Sequence, residues 1–407
     1  MSAPVRPRLV LVGNGMAGVR TLEELLARAP DAFDITVIGA EPHGNYNRIL
    51  LSPVLAGEKT VADVITHAPE WYAERGIQLH VGDAVAAIDP AAQTVSTRLG
   101  RRFGYDRLLL ATGSKPFILP VPGKDLEGVV SFRDIADVER MIEAARTHRR
   151  AAVIGGGLLG LECANGLAQR GMDVTVVHLM DTLMERQLDA AAARLLQTSL
   201  EARGLKFRLP AATEALLGDG RVEAIRFKDG STLDADLVVM AAGIQPNTEL
   251  ARGAGLACER GVVVDDTMRT SDPHVFAVGE CVQHRQVCYG LVSPLWEQAR
   301  VCAAQLAGEA GTAYEGSLVY TRLKVTGIDL FSAGNFLGGE GCEDIVLRDP
   351  RRGVYRKLVL REGRLEGAVL YGDARDGGWY CDLIRQRANV SHLRRRLVFG
   401  QRLAEAA

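Results

Sequence analysis

Three glycines near the N-terminus, Gly13, Gly15 and Gly18, have the spacing of a phosphate-binding loop. The apolar residues 9–12 precede them, as a buried parallel strand would, and residues 19–29 follow with the apolar periodicity of a helix. In such a loop the first glycine permits a tight turn, the second lets a pyrophosphate reach the backbone, and the third lets helix and strand pack closely. The helix N-terminus adds free N–H groups and partial positive charge. The pattern predicts a dinucleotide site.

Further residues along the chain could complete that site. A second apolar strand, residues 35–39, ends close to Glu41, which is placed to accept hydrogen bonds from ribose hydroxyls. A buried strand leads into Ala111, Thr112 and Gly113, small residues that let the chain cross close to a cofactor. A later strand ends at Gly279 and Glu280, a pattern that commonly closes a flavin site, where the carboxylate accepts from the ribityl chain.

The whole unit is repeated from residue 151. Gly155, Gly157 and Gly160 again follow an apolar run and open a helical pattern, and residues 235–247, which include Gly243, loosely echo the Ala111 crossing. Two pockets of one kind predict two dinucleotides. The economical pair is a bound flavin and a diffusible nicotinamide, because hydride transfer requires donor and acceptor rings held together. The sequence therefore predicts an FAD-dependent NAD(P)H oxidoreductase with the cofactors FAD and NAD(P)H.

The order of these segments predicts an α/β fold of two Rossmann-like dinucleotide-binding domains followed by a C-terminal α+β domain. We expect a discontinuous FAD-binding domain at residues 1–118 and 245–310, an NAD(P)-binding domain at 119–244, and the α+β domain at 311–407. Within the last, "REGRLEG" predicts a hairpin, since a glycine turn separates two alternating runs.

Composition narrows the function classes. A net charge of −2 argues against nucleic acid as a partner, and no apolar run approaches the roughly 18 residues that span a membrane. No signal peptide is visible, so a cytoplasmic location is expected. The seven cysteines are scattered without a CxxC, CxC or His-spaced cluster, which gives no support for a metal site or a dithiol centre.

Several longer motifs resemble one family closely. They resemble the N-terminal FAD- and NAD(P)-binding part of the large subunit of assimilatory NAD(P)H nitrite reductase, and the stand-alone FAD subunit of assimilatory nitrate reductase. The overall layout is similar to that of ferredoxin and rubredoxin reductases, apoptosis-inducing factor and glutathione reductase, within the pyridine nucleotide-disulphide oxidoreductase-like superfamily. The motifs that carry the resemblance include "VGNGMAGVRTLEEL", "VIGGGLLGLECANGL", "YGLVSPLWEQA", "LKVTGIDLFSAG" and "GAVLYGDARDGGWYCDLI".

The resemblance implies a set of cofactor contacts. Those to FAD would be made by Gly13, Gly15, Gly18, Glu41, Arg48, Val85, Ala111, Thr112, Gly113 and Glu280. Those to NAD(P) would be made by Gly155, Gly157, Gly160 and Glu162. Arg48 would be the fixed cation beside the flavin pyrophosphate and Glu162 would face the ring-stacking region, which makes these two the candidate catalytic residues. The alternatives are that Arg48 is an ordinary solvated arginine and that Glu162 is an acid on the helix surface.

Three positions depart from the pattern of many relatives. Pro53 stands where they carry a lysine paired with the acid at position 162, and Phe117 stands where they carry an arginine. His178 ends the strand at which an acid would select NADH; a neutral imidazole cannot accept from both ribose hydroxyls, and a protonated one could tolerate a 2′-phosphate. The choice between NADH and NADPH stays open.

Trp296 could stack near the flavin or belong to the core.

A complete nitrite reductase large subunit continues into iron–sulfur and sirohaem modules, and this sequence has no cysteine cluster for either. The expected chemistry is the front end: FAD takes electrons from NAD(P)H and passes them to an electron-accepting redox protein, either the nitrite or nitrate reductase catalytic subunit or an iron–sulfur carrier. The alternatives are a rubredoxin or ferredoxin reductase, an NADH oxidase, and a non-enzymatic NADH-sensing interaction protein. Residues 385–402 carry six arginines and no acid, which predicts either a solvated helix or a docking patch for an acidic partner.

Overall fold

The structure of the protein is a computed structural model that describes residues 6–323 and 327–405. It divides into two compact units. The first comprises Met1–Leu51, Thr60–Lys115 and Ile244–Ser317, and the second comprises Ser52–Lys59, Pro116–Gly243 and Leu318–Ala407. Residues 324–326, which form part of the motif "LKVTGIDLFSAG", lie outside the described residues.

The first unit is built on a five-stranded parallel sheet. Its strands, in spatial order, are Val275–Ala277, Arg107–Leu110, Arg8–Val12, Asp34–Ile38 and Gln78–His80. The central strands consist almost entirely of apolar residues, because both faces of the sheet are buried in the core of the unit. The helices of this unit are Met16–Arg28, Pro69–Ala73, Glu249–Gly253 and Val292–Leu306, with short 3-10 turns at Arg48–Leu50 and Ala62–Val64.

Smaller antiparallel and parallel pairings complete the first unit. A three-stranded meander is formed by Val85–Asp89, Thr94–Thr97 and Arg102–Gly104. Asn45–Tyr46 pairs with Ile65–His67, and Val262–Val264 pairs with Val282–His284. The strands Ser114–Pro116 and Ile244–Pro246 lie where the chain leaves the first unit and returns to it.

The second unit contains a sheet with the same organisation. Its five parallel strands, in spatial order, are Val129–Ser131, Leu237–Met240, Arg150–Ile154, Asp173–Val177 and Lys206–Arg208. A meander is formed by Thr213–Leu217, Ala224–Phe227 and Thr232–Asp234. The helices of this part are Leu51–Ala56, Ile135–Thr147, Leu158–Gln169 and Ala190–Glu201. Two of them begin at aspartates, Asp134 and Asp189, whose carboxylates accept from N–H groups of the first turn.

The C-terminal part of the second unit is a five-stranded antiparallel sheet with helices against it. Its strands, in spatial order, are Tyr320–Leu323, Leu330–Gly334, Arg364–Tyr371, Val354–Arg361 and Cys342–Asp349. The helix Gly377–Arg385 follows, then 3-10 turns at Ser391–Leu393 and Leu397–Phe399 and a short helix at Gln401–Ala404. The predicted "REGRLEG" hairpin is confirmed: Glu362 and Gly363 form its two-residue turn with φ of +50° and +73°.

The predicted α/β class, with two Rossmann-like parallel sheets and a C-terminal α+β portion, is confirmed by this architecture. The division into three domains at residues 118, 245 and 310 stays a prediction.

Candidate functional site

The first glycine loop, Gly13–Gly18, uses its three glycines for three different purposes. Gly13 has a φ of +106°, and a Cβ atom there would lie 2.2 Å from the carbonyl oxygen of Ala111. A Cβ atom on Gly18 would lie 2.9 Å from the Cβ atom of Ala111 and equally close to Leu11. Gly15 differs, because a Cβ atom there would meet nothing within 4 Å. Two glycines are thus required by the protein's own packing, and the middle one borders open space in which a pyrophosphate fits.

The helix that follows this loop, Met16–Arg28, presents an N-terminus suited to an anion. Gly15 is its N-cap and has extended φ and ψ of −86° and 177°. Among the described residues no side chain caps this end, and its first turn contains no acidic residue. The first N–H groups of the helix therefore face the open space beside Gly15 with the positive end of the helix dipole.

Glu41, Tyr46 and Arg48 form one cluster in the first unit. The Tyr46 hydroxyl donates to Oε2 of Glu41 at 2.7 Å, and the Arg48 guanidinium binds Oε1 at 2.7 Å. Burial acts to lower the pKa of Arg48, but Tyr46, Glu41 and Glu280 outweigh it and the pKa is raised. Arg48 is therefore a fixed, fully charged cation rather than a freely solvated one. Glu41 retains a lone pair on each oxygen, which is the capacity that a ribose diol requires.

Glu280 lies within the electrostatic reach of Arg48, at the end of the sheet strand Val275–Ala277. Its Oε2 atom accepts a hydrogen bond from the Ser114 hydroxyl at 2.7 Å. The preceding Gly279 has a φ of +94°, and its N–H donates to the side-chain oxygen of the fully buried Gln298 at 2.9 Å. The first unit thus brings together an acid, a cation and a phosphate-binding loop that lie far apart in the sequence.

Asn247 forms hydrogen bonds with the segment 111–113, where the chain crosses the first glycine loop. Its side-chain amide donates to the Thr112 carbonyl at 2.8 Å, and its backbone N–H donates to the Gly113 carbonyl at 2.9 Å. The Thr112 hydroxyl returns a bond to the carbonyl of Asn247 at 3.0 Å. The sequence analysis missed this role. The only local sign of this role in the sequence was that Asn247 ends residues 235–247, the segment that loosely repeats the Ala111 crossing.

Two other candidates of the first unit have ordinary packing partners. Val85 is buried at the start of its strand. Trp296 is half-buried on the helix Val292–Leu306, and the Arg20 guanidinium lies 6.0 Å from its ring centroid. Flavin contacts by these two side chains stay predictions.

The second glycine loop, Gly155–Gly160, repeats the geometry of the first. Gly155 has a φ of +134°, and a Cβ atom there would lie 2.2 Å from the carbonyl oxygen of Ala241. A Cβ atom on Gly160 would lie 2.0 Å from the carbonyl oxygen of Gly155. Gly157 again borders open space and is the N-cap of the helix Leu158–Gln169, whose first turn contains no acid. The loop that is duplicated in the sequence is therefore also duplicated in its geometry, and each copy is a candidate phosphate cradle.

Glu162 is buried on this helix, 7% exposed, and its Oε2 atom accepts a hydrogen bond from the Ser52 hydroxyl at 2.6 Å. Ser52 precedes Pro53, which replaces the lysine of many relatives, so a neutral hydroxyl meets this acid. The same segment is held by Arg170, whose guanidinium donates to the carbonyls of Val54 and Leu55. The sequence analysis named Pro53 but missed the contacts of Ser52, Val54 and Leu55. Each of these contacts joins residues that are more than a hundred positions apart.

His178 and Gly243 follow the carboxyl ends of the two strands that flank the central strand Arg150–Ile154 of the second unit. The backbone N–H of Gly156 donates to Nδ1 of His178 at 3.1 Å, and Nε2 lies 3.1 Å from Oε2 of Glu185. Gly243 has a φ of +119° and open space where a Cβ would stand, and its carbonyl accepts from the N–H of Phe117 at 2.9 Å. Carboxyl ends of parallel strands are where open α/β sheets bind ligands.

Three of the cysteines, Cys163, Cys281 and Cys302, are poorly suited to thiol chemistry. All seven carry free thiols, and burial raises the pKa of Cys163, Cys281 and Cys302. A buried neutral thiol is a poor nucleophile. Within residues 6–323 and 327–405 no group of three or more His, Cys, Asp or Glu side chains is arranged to hold a metal ion. Each unit instead has a glycine loop beside open space and acidic side chains, which is the set of groups that we expect of a dinucleotide site.

Comparison with known proteins decides the family. The family model described as pyridine nucleotide-disulphide oxidoreductase matches residues 7–306. The chain belongs to this family. A second model, the rubredoxin NAD+ reductase C-terminal domain, matches residues 320–388. The predicted cofactors of this pyridine nucleotide-disulphide oxidoreductase, FAD and NAD(P)H, are confirmed as those of the family.

Two relatives from Bacillus subtilis strain 168 confirm the resemblance that the motifs predicted. The chain is 52% identical to a nitrite reductase (NAD(P)H) over 95% of its own length and 48% of that relative. It is 46% identical to an assimilatory nitrate reductase electron transfer subunit over 97% of its length and 51% of that relative. The chain therefore spans about half the length of the curated relatives it matches.

Solved structures of the family have the same fold. The covalent complex of putidaredoxin reductase with putidaredoxin matches with a TM-score of 0.86 and 28% identity, covering 95% of this chain and 94% of that one. A water-forming NADH oxidase from Lactobacillus brevis matches with a TM-score of 0.85 at 22% identity, covering 95% and 92%, which shows the fold alone. None of the helices in the described parts of this oxidoreductase is long and apolar enough to cross a membrane.

Proposed function

We propose that this oxidoreductase carries electrons from NAD(P)H through FAD to a catalytic partner that reduces nitrite or nitrate in nitrogen assimilation. The observation that carries the proposal is the duplicated cradle, in which Gly15 and Gly157 border equivalent open spaces. Identity of 52% and 46% to nitrite and nitrate reductase components supports the choice of pathway. Free thiols at all seven cysteines support the cytoplasm as the proposed compartment, since it keeps thiols reduced.

In this scheme FAD, when bound, accepts a hydride from the nicotinamide and releases electrons one at a time. The residues of the first unit bind and orient it: the first glycine loop would hold the pyrophosphate, with Arg48 as an added cation and Glu41 as a ribose acceptor. Glu280 would accept from the ribityl hydroxyls. The second glycine loop would hold the nicotinamide nucleotide, with Glu162 toward its ring-bearing end. We assign no proton transfer to a side chain.

The direct test is anaerobic reduction of the purified protein. We expect it to be yellow with bound FAD, to lose that colour when NADH or NADPH is added, and to oxidise the nucleotide in a nitrite- or nitrate-dependent way only when a catalytic reductase partner is present. Ferricyanide, a one-electron acceptor, serves as the control for the FAD half of the reaction. A protein that takes up no FAD, or that keeps its yellow colour under both nucleotides, contradicts the proposal.

A rubredoxin or ferredoxin reductase is the second candidate, because the C-terminal residues 320–388 match the rubredoxin NAD+ reductase domain. Pro53 and Phe117, which stand where the resemblance to such reductases leads us to expect a lysine and an arginine, speak against it. Faster reduction of rubredoxin than of a nitrite or nitrate reductase partner would favour this candidate. Rapid consumption of O2 with no protein acceptor would instead indicate an NADH oxidase, and no turnover with ferricyanide would indicate an NADH sensor.

The arginines of residues 385–402 are the proposed docking patch for the partner. Arg394 binds Glu343 of the C-terminal sheet, and Arg395 and Arg396 are exposed beside it. Phe399, 50% exposed, and Leu403, 55% exposed, follow on the same short segment. Exposed cations next to exposed apolar side chains suit a partner with an acidic rim, whose approach the charge would steer.

Reversing Arg395 and the exposed Arg402 to glutamate is expected to slow reduction of the catalytic partner about tenfold or more at low salt and to flatten its salt dependence. Arg394 is left in place, because reversal there would set two carboxylates against each other. The rate with ferricyanide should not change. The matched control reverses Arg98 and Arg149, which are exposed and have no side-chain partner among the described residues, and should leave both rates intact. An unchanged partner rate in the first variant would rule out docking at this patch.

A further inference from the structure

The ring of His178 has both of its nitrogens occupied. It ends the strand Asp173–Val177, its side chain is 11% exposed, and it lies against the second glycine loop. The Gly156 N–H donates to Nδ1 at 3.1 Å, and Nε2 lies 3.1 Å from Oε2 of Glu185. A Cβ atom on Gly156 would lie 2.7 Å from the ring, so this glycine admits the imidazole.

These contacts fix the tautomer of His178. A backbone N–H can only donate, so Nδ1 must accept, and the ring hydrogen is therefore carried by Nε2 and directed at Glu185. Protonation of Nδ1 would set two N–H groups against each other. The ring has neither a free acceptor for a ribose hydroxyl nor an exposed N–H for a phosphate. His178 can therefore fill neither role considered for it from the sequence, and contact with the ribose passes to the group that it holds.

That group is Glu185. Its side chain is 32% exposed, and of its two oxygens Oε2 is bound to His178, while Oε1 accepts nothing from the described residues. The backbone around it is anchored to the glycine loop, since the N–H of Met184 donates to the Gly156 carbonyl at 3.0 Å and Met184 has a φ of +52°. The loop thus holds a carboxylate where the end-of-strand acid of an NAD-binding fold would otherwise stand.

The cations nearby do not offset this carboxylate. Arg208 lies on the adjacent strand, where its carbonyl accepts from the His178 N–H at 3.1 Å, but its guanidinium binds Asp229 and Ser231 and lies 4.0 Å from the Phe227 ring centroid. Arg186 follows Glu185, is exposed, and has no side-chain partner among the described residues. It is therefore available to a phosphate, but nothing holds it in place, whereas His178 positions Glu185.

We propose that Glu185, positioned by His178, is the specificity-determining residue of the nicotinamide site and selects NADH over NADPH. Its carboxylate accepts from the hydroxyls of the adenosine ribose and repels the phosphate that replaces the 2′-hydroxyl in NADPH. This inference rests on the proposed function only in that the second glycine loop must bind the nicotinamide nucleotide.

The test compares the two nucleotides in three variants. The wild-type protein should favour NADH over NADPH in kcat/KM by about 100-fold or more, since like charges in contact are strongly unfavourable. Glu185→Gln keeps the shape and removes the charge, so the preference should fall about tenfold or more. Glu185→Arg should invert it, because a guanidinium binds phosphate. Arg186→Gln is the matched control and should leave the preference for NADH in place.

A second readout does not depend on turnover. Calorimetric binding of AMP, with and without a 2′-phosphate, should show the same preference and the same order of variants, because only the adenosine end is read. An unchanged ratio in Glu185→Gln, a wild-type preference for the 2′-phosphate, or a ratio governed by Arg186 would overturn the inference. If neither reduced nucleotide reduces the FAD while AMP binding follows this order, the proposed function fails and the role of Glu185 stands.

Discussion

Gly15→Ala is expected to yield a folded protein that has lost its FAD. The φ of Gly15 is −86° and a Cβ atom there meets no protein atom within 4 Å, so alanine costs the protein no strain. The added methyl group would occupy the space proposed for the pyrophosphate, and overlap of this size costs about 1–3 kcal/mol, or about 5- to 150-fold in FAD affinity. FAD content after purification and fluorescence titration of the apoprotein measure this loss, and thermal unfolding of the apoprotein checks the fold.

Gly157→Ala is the reciprocal control. Gly157 has the same open surroundings in the second loop, so this variant should keep its yellow colour and lose affinity for the nicotinamide nucleotide. Gly378→Ala, in the helix Gly377–Arg385, also places a methyl group in open space and should change neither ligand. Equal loss of FAD in all three variants, or none in Gly15→Ala, would contradict the assignment of the first cradle to FAD.

Among the substitutions proposed here, Arg356→Met is expected to lower the local stability of the C-terminal sheet the most. Arg356 is 6% exposed in the C-terminal sheet; its guanidinium binds Asp373 at 3.0 Å, Asp376 at 3.2 Å and the carbonyl of Val398 at 3.2 Å. Removing it leaves a largely buried carboxylate, Asp376, without its cation, which costs about 3 kcal/mol. Hydrogen exchange of residues 354–371 and 397–404 should then become about 100-fold faster, because that factor corresponds to this loss of local stability.

The control for this variant is Arg375→Met. Arg375 binds the same Asp373 at 2.9 Å, but its side chain is 85% exposed. Exposed ion pairs contribute little, so the exchange rates should match those of the wild type. Because Arg375 and Arg356 share one aspartate, the comparison separates burial from charge. Equal acceleration in both variants would show that the number of cations, and not the buried position of Arg356, stabilises this part of the chain.

The glycine loops could be predicted from sequence because their requirements are local. A tight turn at Gly13, an open position at Gly15 and close packing at Gly18 are set by neighbours on one strand and one helix, and the same steric rules apply to Gly155–Gly160. The positions of Glu41 and Glu280 after strand ends could also be predicted, and their contacts with FAD stay predictions. The hairpin at Glu362 and Gly363 was read from turn chemistry alone.

The residues that the sequence analysis missed depend on contacts across long stretches of chain. Ser52 meets Glu162 across 110 positions, and Asn247 meets Thr112 across 135. Glu185 was missed for another reason: an acid was expected at the end of the strand, where His178 stands, and nothing in the spacing shows that a loop turning at Met184 brings an acid back to this ring.

The near-identity of the two glycine loops has a consequence for residence times. A prosthetic group must stay through every turnover, while a co-substrate must leave after each, yet equal cradles would retain both for equally long. The difference must therefore originate outside the loops, in the cation Arg48 and the acids Glu41 and Glu280 on one side and the carboxylates of Glu162 and Glu185 on the other. Exchanging the two loops alone should leave each nucleotide's dwell time almost unaltered.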